Sequence, residues 1–355
     1  MSGAAHEHDD ALSSASPDGP DEMGRELAEG PAAVVNTLVE VERLRTRLAP
    51  LVEAAQRIVL VGTGASLAMA RASAPVWRAR LPREMNLIVR QASEAVLGDA
   101  DGWHVEPSDL VVAISQAGVS PETLAAARQA GAIGAPVLAV TASSNSPLAT
   151  SATLACLVAS GDEHGASTKS ALATLTALLA IAGALPTDAD AGTVIGLRLR
   201  GIVDSWESVI PAGRSLADAR NTWFLGFGPG EGIAEAGALL WHEKVARQAA
   251  AATPSEFRHG PIEAAGDEDA VILVDIDPPD ARRDAYLERL RAELGELGVA
   301  VVELRPDPGE LEHRALAALL RVQQLSRATA LAAGTYRDGF SVLRRVVTPA
   351  DDLLD

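Results

Sequence analysis

The chain is 355 residues long, 48 % hydrophobic but only 3 % aromatic, with 30 basic residues against 48 acidic ones and a net charge of −18. That length holds two domains or one large one, and a core built from Ala, Leu and Val favours α/β layers over an aromatic-rich β-sandwich. The acidic balance excludes a general nucleic-acid surface, because phosphate backbones demand basic stripes, but it leaves room for a local anion site. Cys156 is the single cysteine, which rules out an internal disulfide framework and a four-cysteine zinc site. Lys169 and Lys244 are the only lysines, so any Schiff-base chemistry has just two candidates.

Residues 1–22 are polar, acidic and rich in Ser, Asp and Pro, and read as a disordered tail with no signal peptide. A cytoplasmic location is the expectation. Residues 23–56 place Val34, Leu38, Val41 and Leu44 at helical spacing and predict two helices broken near Gly30 and Pro31. Arg57–Val61 is a short apolar run that ends in Gly62-Thr63-Gly64-Ala65-Ser66 and gives way to a helical stretch reaching Arg80: strand, glycine turn, helix. Asn86–Arg90 and Asp109–Ile114 read as the next strands, the latter running into Ser115-Gln116-Ala117-Gly118-Val119-Ser120 and another helix. Pro136–Val140 and Leu154–Ala159 follow as strands four and five. The apolar run Ala171–Leu185 is short for a membrane span and reads as a buried helix.

After a helix-rich segment the pattern restarts. Thr222–Gly226 leads through Phe227-Gly228-Pro229-Gly230 into a helix that runs through Gly237–Arg247, and Ala270–Asp275 and Val299–Leu304 read as strands. The fold class expected is α/β, with two doubly wound, mostly parallel lobes. The expected divisions are 1–22 as tail, 23–190 as N-terminal helices and first lobe, 191–335 as second lobe, and 336–355 as a C-terminal tail that contributes to the active site.

Two turns of the first lobe fall at the carboxyl edge of a parallel sheet, where open α/β folds bind ligands. Thr63, Ser66, Ser115, Gln116 and Ser120, with the backbone amides of the helix starts, would form a neutral cradle for an anion such as a phosphate. The alternative is that Ser66 and Ser120 are ordinary helix caps. A dinucleotide site fits poorly, because Leu67 stands where the third glycine belongs, and no Gly-Lys-Ser or Gly-Lys-Thr P-loop is present. In the second lobe, Glu243 on a helix and His259 in Thr253–Glu263 are a carboxylate and an imidazole suited to moving protons on a small molecule. His242 and His104 lack such context and read as surface or packing residues.

Three motifs carry a resemblance: Ser255-Glu256-Phe257-Arg258-His259-Gly260-Pro261, Ser115-Gln116-Ala117-Gly118-Val119-Ser120-Pro121-Glu122-Thr123, and Gly161-Asp162-Glu163-His164-Gly165-Ala166-Ser167-Thr168-Lys169. Ala92-Ser93-Glu94 adds weaker support. From about residue 24 to 345 the chain resembles tandem sugar-isomerase (SIS) domain proteins, especially the isomerase half of glucosamine-6-phosphate synthase and the SIS-type glucosamine-6-phosphate deaminases. The resemblance implies that Thr63, Gly64, Ser66, Ser115, Gln116 and Ser120 hold a sugar phosphate, with Ser167 near the sugar and Lys169 structural. It implies that Glu243 shuttles a proton between C1 and C2, and that His259 assists ring opening from the neighbouring subunit of a homodimer. No metal or organic cofactor, no nucleic acid and no membrane is implied.

The departures from the pattern matter. Ala117 and Gly64 stand where the family often has serines; Asp162 and Gly165 take the places of a glutamate and a valine. Arg344 occupies the place of the synthase's C-terminal Schiff-base lysine, and Leu240 that of a lysine before the base. Arginine stays protonated and cannot form a Schiff base, though it can bind a hydroxyl or a phosphate. No glutaminase domain or N-terminal nucleophilic cysteine is expected. The activity implied is deamination of an amino-sugar phosphate such as glucosamine 6-phosphate to fructose 6-phosphate and ammonia. Aldose–ketose isomerisation without deamination and a non-catalytic sugar-phosphate-binding regulator are the alternatives.

Overall fold

The computed structural model describes residues 19, 21–98, 103–340 and 342. Most of the expected N-terminal tail, and residue 341 and residues 343–355 of the C-terminal tail, Arg344 among them, lie outside the described residues. The chain divides into two compact units. Among the described residues, one comprises 30–163 and 169–196; the other comprises 197–340, the loop 164–168 and the chain up to Glu29.

Helix α1 spans Glu22–Ala54 as one element, with Pro31 and Pro50 inside it. This corrects the expected break near Gly30 and Pro31. Proline fixes φ at a helical value and costs the helix one hydrogen bond plus local crowding, and 33 residues of helix absorb that. Gly30 is explained by packing instead, since a Cβ there would lie 3.2 Å from Leu172 Cδ2.

In the first unit β1 (Arg57–Gly62), β2 (Asn86–Gln91), β3 (Asp109–Ile114), β4 (Val137–Thr141) and β5 (Leu154–Leu157) form a sheet in the order β2-β1-β3-β4-β5. Every pairing is parallel. β3 and β4 are buried at every position, the mark of strands covered on both faces. The crossovers are α2 (Ala65–Arg80), α3 (Ala92–Leu97), α4 (Pro121–Ala132) and α5 (Pro147–Ser151). The apolar helix α6 (Lys169–Ile181) is almost wholly buried and packs on α2. No described helix is long and apolar enough to cross a membrane. One face of the sheet closes over Val59, Val61, Val111, Ala113, Leu124 and Leu148. Alanine fills the tight helix–strand approaches, which is why the core needs so few aromatic residues.

Helices α7 (Ala189–Asp204) and α8 (Ile210–Leu216), with a 3-10 turn at Trp206–Val209 between them, lead to the second sheet. There β6 (Asn221–Gly226), β7 (Gln248–Ala252), β8 (Asp269–Val274) and β9 (Ala300–Leu304) are ordered β7-β6-β8-β9, again all parallel. Taken by chain order, this repeats the second-first-third-fourth order of the first sheet. Helices α9 (Pro229–Leu240), α10 (Pro254–Arg258), α11 (Ala281–Glu296) and α12 (Leu311–Ala332) complete the unit. Its core gathers Leu225, Phe257, Val271, Leu273, Leu290 and Leu294. Strand β7 had no sequence expectation, because Ala249–Ala252 carry little β preference; pairing with β6 makes it a strand.

Candidate functional site

In the first unit, β1 and β3 are adjacent and parallel, so the turns that follow them open side by side at the carboxyl edge. After β1, Thr63 and Gly64 are exposed and Ser66 is half-buried. Gly64, at φ 57° and ψ −130°, is the residue capping α2, and no side chain caps that helix. Its first amides are therefore left for water or a ligand. Ser66 lies inside the first turn rather than at the cap.

After β3, the chain is pinned by its own backbone. Buried Ser115 donates its N–H to the Val140 carbonyl at 3.1 Å, and its Oγ accepts from the Gly118 N–H at 3.2 Å. The Gln116 carbonyl accepts from the Ala142 N–H at 2.8 Å and from Thr141 Oγ1 at 3.0 Å. Gly118 turns the loop at φ 68°; a Cβ there would sit 2.2 Å from Ser146 Oγ. Ser120 occupies the cap position of α4, but its side chain accepts no capping bond. Its Oγ instead donates to Glu122 Oε2 at 3.3 Å and accepts from Thr123 Oγ1 at 3.2 Å. Neither Ser66 nor Ser120 serves as an ordinary side-chain cap. The six candidate binding residues of this unit thus sit on two neighbouring turns, with helix amides and hydroxyls and no cation among the six.

Thr141 and Ser146 were not singled out from sequence, yet they wall the Gln116–Gly118 turn. Ser146 caps α5, accepting from the Ala149 N–H at 3.2 Å and donating to the Ser143 carbonyl at 2.9 Å. The hydroxyl-rich run Thr141–Ser146 directly after a strand, closed by a serine before Pro147, was the available signal.

The corresponding edge of the second sheet has another character. Gly228 caps α9 at φ 51° and ψ −127°, and a Cβ on it would lie 3.3 Å from Asp277 Oδ1. Asp275, which follows β8, is buried, and Arg283 Nε lies 3.4 Å from its Oδ1. Burial holds the Asp277 carboxyl above its ordinary range; Arg283 pulls it down and Asp275 pushes it further up. Asp275 and Asp277 are paired here with Arg283 and Arg305, so this edge carries ion pairs where the first sheet offers hydroxyls.

Glu243, half-buried, lies on a π-helical turn, Trp241–Val245, that continues α9. The Ala246 N–H closes the turn onto the Trp241 carbonyl at 3.0 Å, with Ala246 left-handed at φ 55°. π turns within helices recur at functional positions. The adjacent Lys244 is buried. His259 is exposed and ends α10, whose start is fixed by a capping box in which Thr253 Oγ1 accepts from the Glu256 N–H and the Glu256 carboxylate from the Thr253 N–H. Thr-x-x-Glu was the sequence signal for this short helix, unread at that level. Glu243 precedes β7 and His259 follows it, so five residues of strand, about 16 Å, separate the turns that carry them.

Ser167 belongs to the same unit as Glu243. Its loop is fixed by buried Glu26, which accepts from the His164 N–H at 2.8 Å and from Thr168 Oγ1 at 2.6 Å; Gln323 Nε2 donates to the Thr168 carbonyl at 2.9 Å. Lys169 is buried at the start of α6. Among the described residues no group of three His, Cys, Asp or Glu is placed to hold a metal.

The SIS domain family model matches residues 51–184. A glutamine–fructose-6-phosphate aminotransferase (isomerizing) of Bordetella parapertussis is 31 % identical over 294 residues, covering 78 % of this chain and 46 % of that protein. Three solved structures under 25 % identity share the fold. The C-terminal domain of glucosamine-fructose-6-phosphate aminotransferase from Francisella tularensis gives a TM-score of 0.76 at 24 % identity, covering 92 % of this chain and 100 % of that one. Tagatose-6-phosphate ketose/aldose isomerase from Escherichia coli gives 0.76 at 21 %, covering 89 % and 94 %. Glucosamine-6-phosphate deaminase from Thermotoga maritima gives 0.69 at 19 %, covering 89 % and 96 %. Residues 51–184 are a SIS domain, and the chain is homologous to the isomerase part of the glutamine–fructose-6-phosphate aminotransferases, of whose length it spans about half.

Proposed function

We propose that the chain is a phosphosugar isomerase acting on an amino-sugar phosphate, most simply a deaminase that converts glucosamine 6-phosphate to fructose 6-phosphate and ammonia. The observation that carries this reading is the pair of adjacent carboxyl-edge turns, where Thr63, Ser66, Ser115 and Ser120 surround helix amides and neither Ser66 nor Ser120 is used as a side-chain cap. Such a cradle suits a phosphate dianion. The second sheet, whose four strands repeat the order of the first four strands of the first sheet, supports reading it as the second SIS domain of a tandem.

Chemistry then falls to Glu243. Its carboxylate removes the proton at C2 of the open-chain sugar while the aldehyde oxygen at C1 takes a proton, which gives an enolamine. Returning the proton to C1 moves the double bond to C2=N; water adds at C2, ammonia leaves, and the ketose remains. His259 assists ring opening by passing a proton between ring oxygen and C1 hydroxyl. Its position beyond the far end of β7 from Glu243 supports a histidine drawn from a second copy of the chain in a homodimer. Arg344, in the C-terminal tail, would bind substrate oxygens rather than form a Schiff base.

The test is ammonia release from glucosamine 6-phosphate by the purified protein beside a Glu243→Gln control. Release abolished by the substitution supports the deaminase. Ketose formation without ammonia assigns a plain isomerase, and tight binding without turnover assigns a sugar-phosphate-binding regulator.

A further inference from the structure

Lys244 is one of two lysines in the chain, and its side chain is only 2 % exposed. A buried ammonium is costly unless partners surround it, and here they come from remote segments of the same unit. Nζ donates to the Arg337 carbonyl at 3.1 Å and to the Gly339 carbonyl at 3.4 Å. The Glu22 carboxylate lies 4.0 Å away, and the ring of Tyr336 is 5.5 Å from Nζ. Gly165, two residues before Ser167, packs against the same point: a Cβ on it would lie 3.2 Å from Nζ and 3.1 Å from Gly339 Cα.

The partners are themselves cross-linked. Glu22 Oε2 accepts from the Gly339 N–H at 2.6 Å, and Asp338 Oδ1 accepts from the Glu22 N–H at 2.9 Å. Tyr336 hydroxyl donates to Asp338 Oδ1 at 3.0 Å and accepts from the Met23 N–H at 3.0 Å. The start of α1, the Ser167 loop and the segment after α12 therefore meet at one ammonium. That ammonium is attached to the residue next to Glu243, on the strained π turn closed by left-handed Ala246.

We propose that Lys244 is a positioning residue: it clamps residues 337–339 and the start of α1 onto the turn that carries Glu243, so that one ionic contact sets both. The consequence for turnover rests on Glu243 being the base proposed above; the clamp does not. Removing one partner of a buried ion pair is destabilising in itself, so lost stability alone does not mark a positioning lysine; faster exchange in both segments together with a lower kcat, restored by arginine, does.

The experiment compares full-length wild type with Lys244→Met by amide hydrogen exchange, thermal unfolding and steady-state kinetics on glucosamine 6-phosphate. The expected result is exchange at least about tenfold faster in peptides covering 335–340 and 241–247, with 269–304 unchanged. The expected kinetic result is kcat lower by about tenfold or more, with KM within about threefold. Lys244→Arg, which keeps the charge and the donors, restores protection in both peptides. If Lys244→Met does not fold, Glu22→Ala is read in the same way, because it removes the acceptor of the Gly339 N–H, and faster exchange in both peptides is again expected. Unchanged exchange in 335–340 overturns the clamp. Faster exchange there with 241–247 and kcat unchanged overturns the coupling. Wild type without turnover overturns the deaminase reading, and the two exchange measurements still decide the clamp.

Discussion

Gly64 and Gly228 adopt almost the same unusual backbone conformation, φ 57°, ψ −130° and φ 51°, ψ −127°, each as the residue before the helix that follows the first strand of its sheet. Side chains rarely enter that region, and forcing one there costs about 1–3 kcal/mol. Both Gly64→Ala and Gly228→Ala should therefore lower stability by about that amount in urea unfolding. They should differ in binding. Gly64→Ala should weaken sugar-phosphate binding measured by calorimetry, whereas Gly228→Ala, beside Asp277, should leave it within about twofold.

Gly118 is constrained twice, by φ 68° and by Ser146 Oγ standing 2.2 Å from where a Cβ would go. Gly118→Ala should displace the Ser115–Ser120 loop and weaken sugar-phosphate binding by about tenfold or more. Adding Ser146→Gly removes both the hydroxyl and the Ser146 Cβ, which stands 2.4 Å from the same point, so the double variant should recover part of the loss. Strict additivity in a double-mutant cycle would contradict this packing account.

Ala246 is the only non-glycine residue with positive φ among the described residues. Glycine occupies that region without the Cβ penalty. Ala246→Gly should raise stability by about 0.5–1 kcal/mol, read as a shift of the unfolding midpoint at constant slope. Its π-type hydrogen bond to the Trp241 carbonyl is made by the backbone and is unaffected.

Arg327 is fully buried, stacks over Trp206 at 4.4 Å and binds Asp21 at 2.7 Å. Burial pushes the Asp21 carboxyl up, but the hydrogen bond and charge of Arg327, with the Gly24 N–H and Tyr336, outweigh it and hold the group below its ordinary 3.8. A carboxyl depressed on folding contributes stability that is complete above its unfolded value and disappears as pH falls through the folded one. The contribution should thus be present throughout neutral pH and be lost only below about 3.8. Asp21→Asn should flatten that part of the stability–pH curve. Arg327→Met should cost about 2 kcal/mol at neutral pH, less than for a fully buried pair because Asp21 keeps some contact with water.

The parallel layers were legible because their signals are local. Arg57–Gly62, Asp109–Ile114 and Asp269–Val274 are apolar runs; a glycine turn or a hydroxyl-rich loop follows the first two. The errors have physical causes as well. Pro31 looked like a break because a proline costs a helix one hydrogen bond, but packing over the length of α1 outweighs that loss. Strand β7 was invisible because four alanines carry no strand preference, and only the hydrogen bonds of β6 make them one. The turn of Glu243 read as plain helix, since nothing in Trp241–Val245 marks a change of helical period; closure by Ala246 does.

By itself the sequence determined the α/β class, the single restart of strand, turn and helix, and the hydroxyl character of the first two turns, because each is written in neighbouring residues. The tertiary structure decided how those groups are used: that Ser66 and Ser120 are not side-chain caps, that Thr141 and Ser146 wall the loop beside them, and that Asp277 lies against the turn at Gly228. It also decided the partners of Lys244, which come from positions 22, 337 and 339. A buried charge takes whatever acceptors the folded chain brings to it, and residues separated by hundreds of positions become neighbours only once the layers have packed.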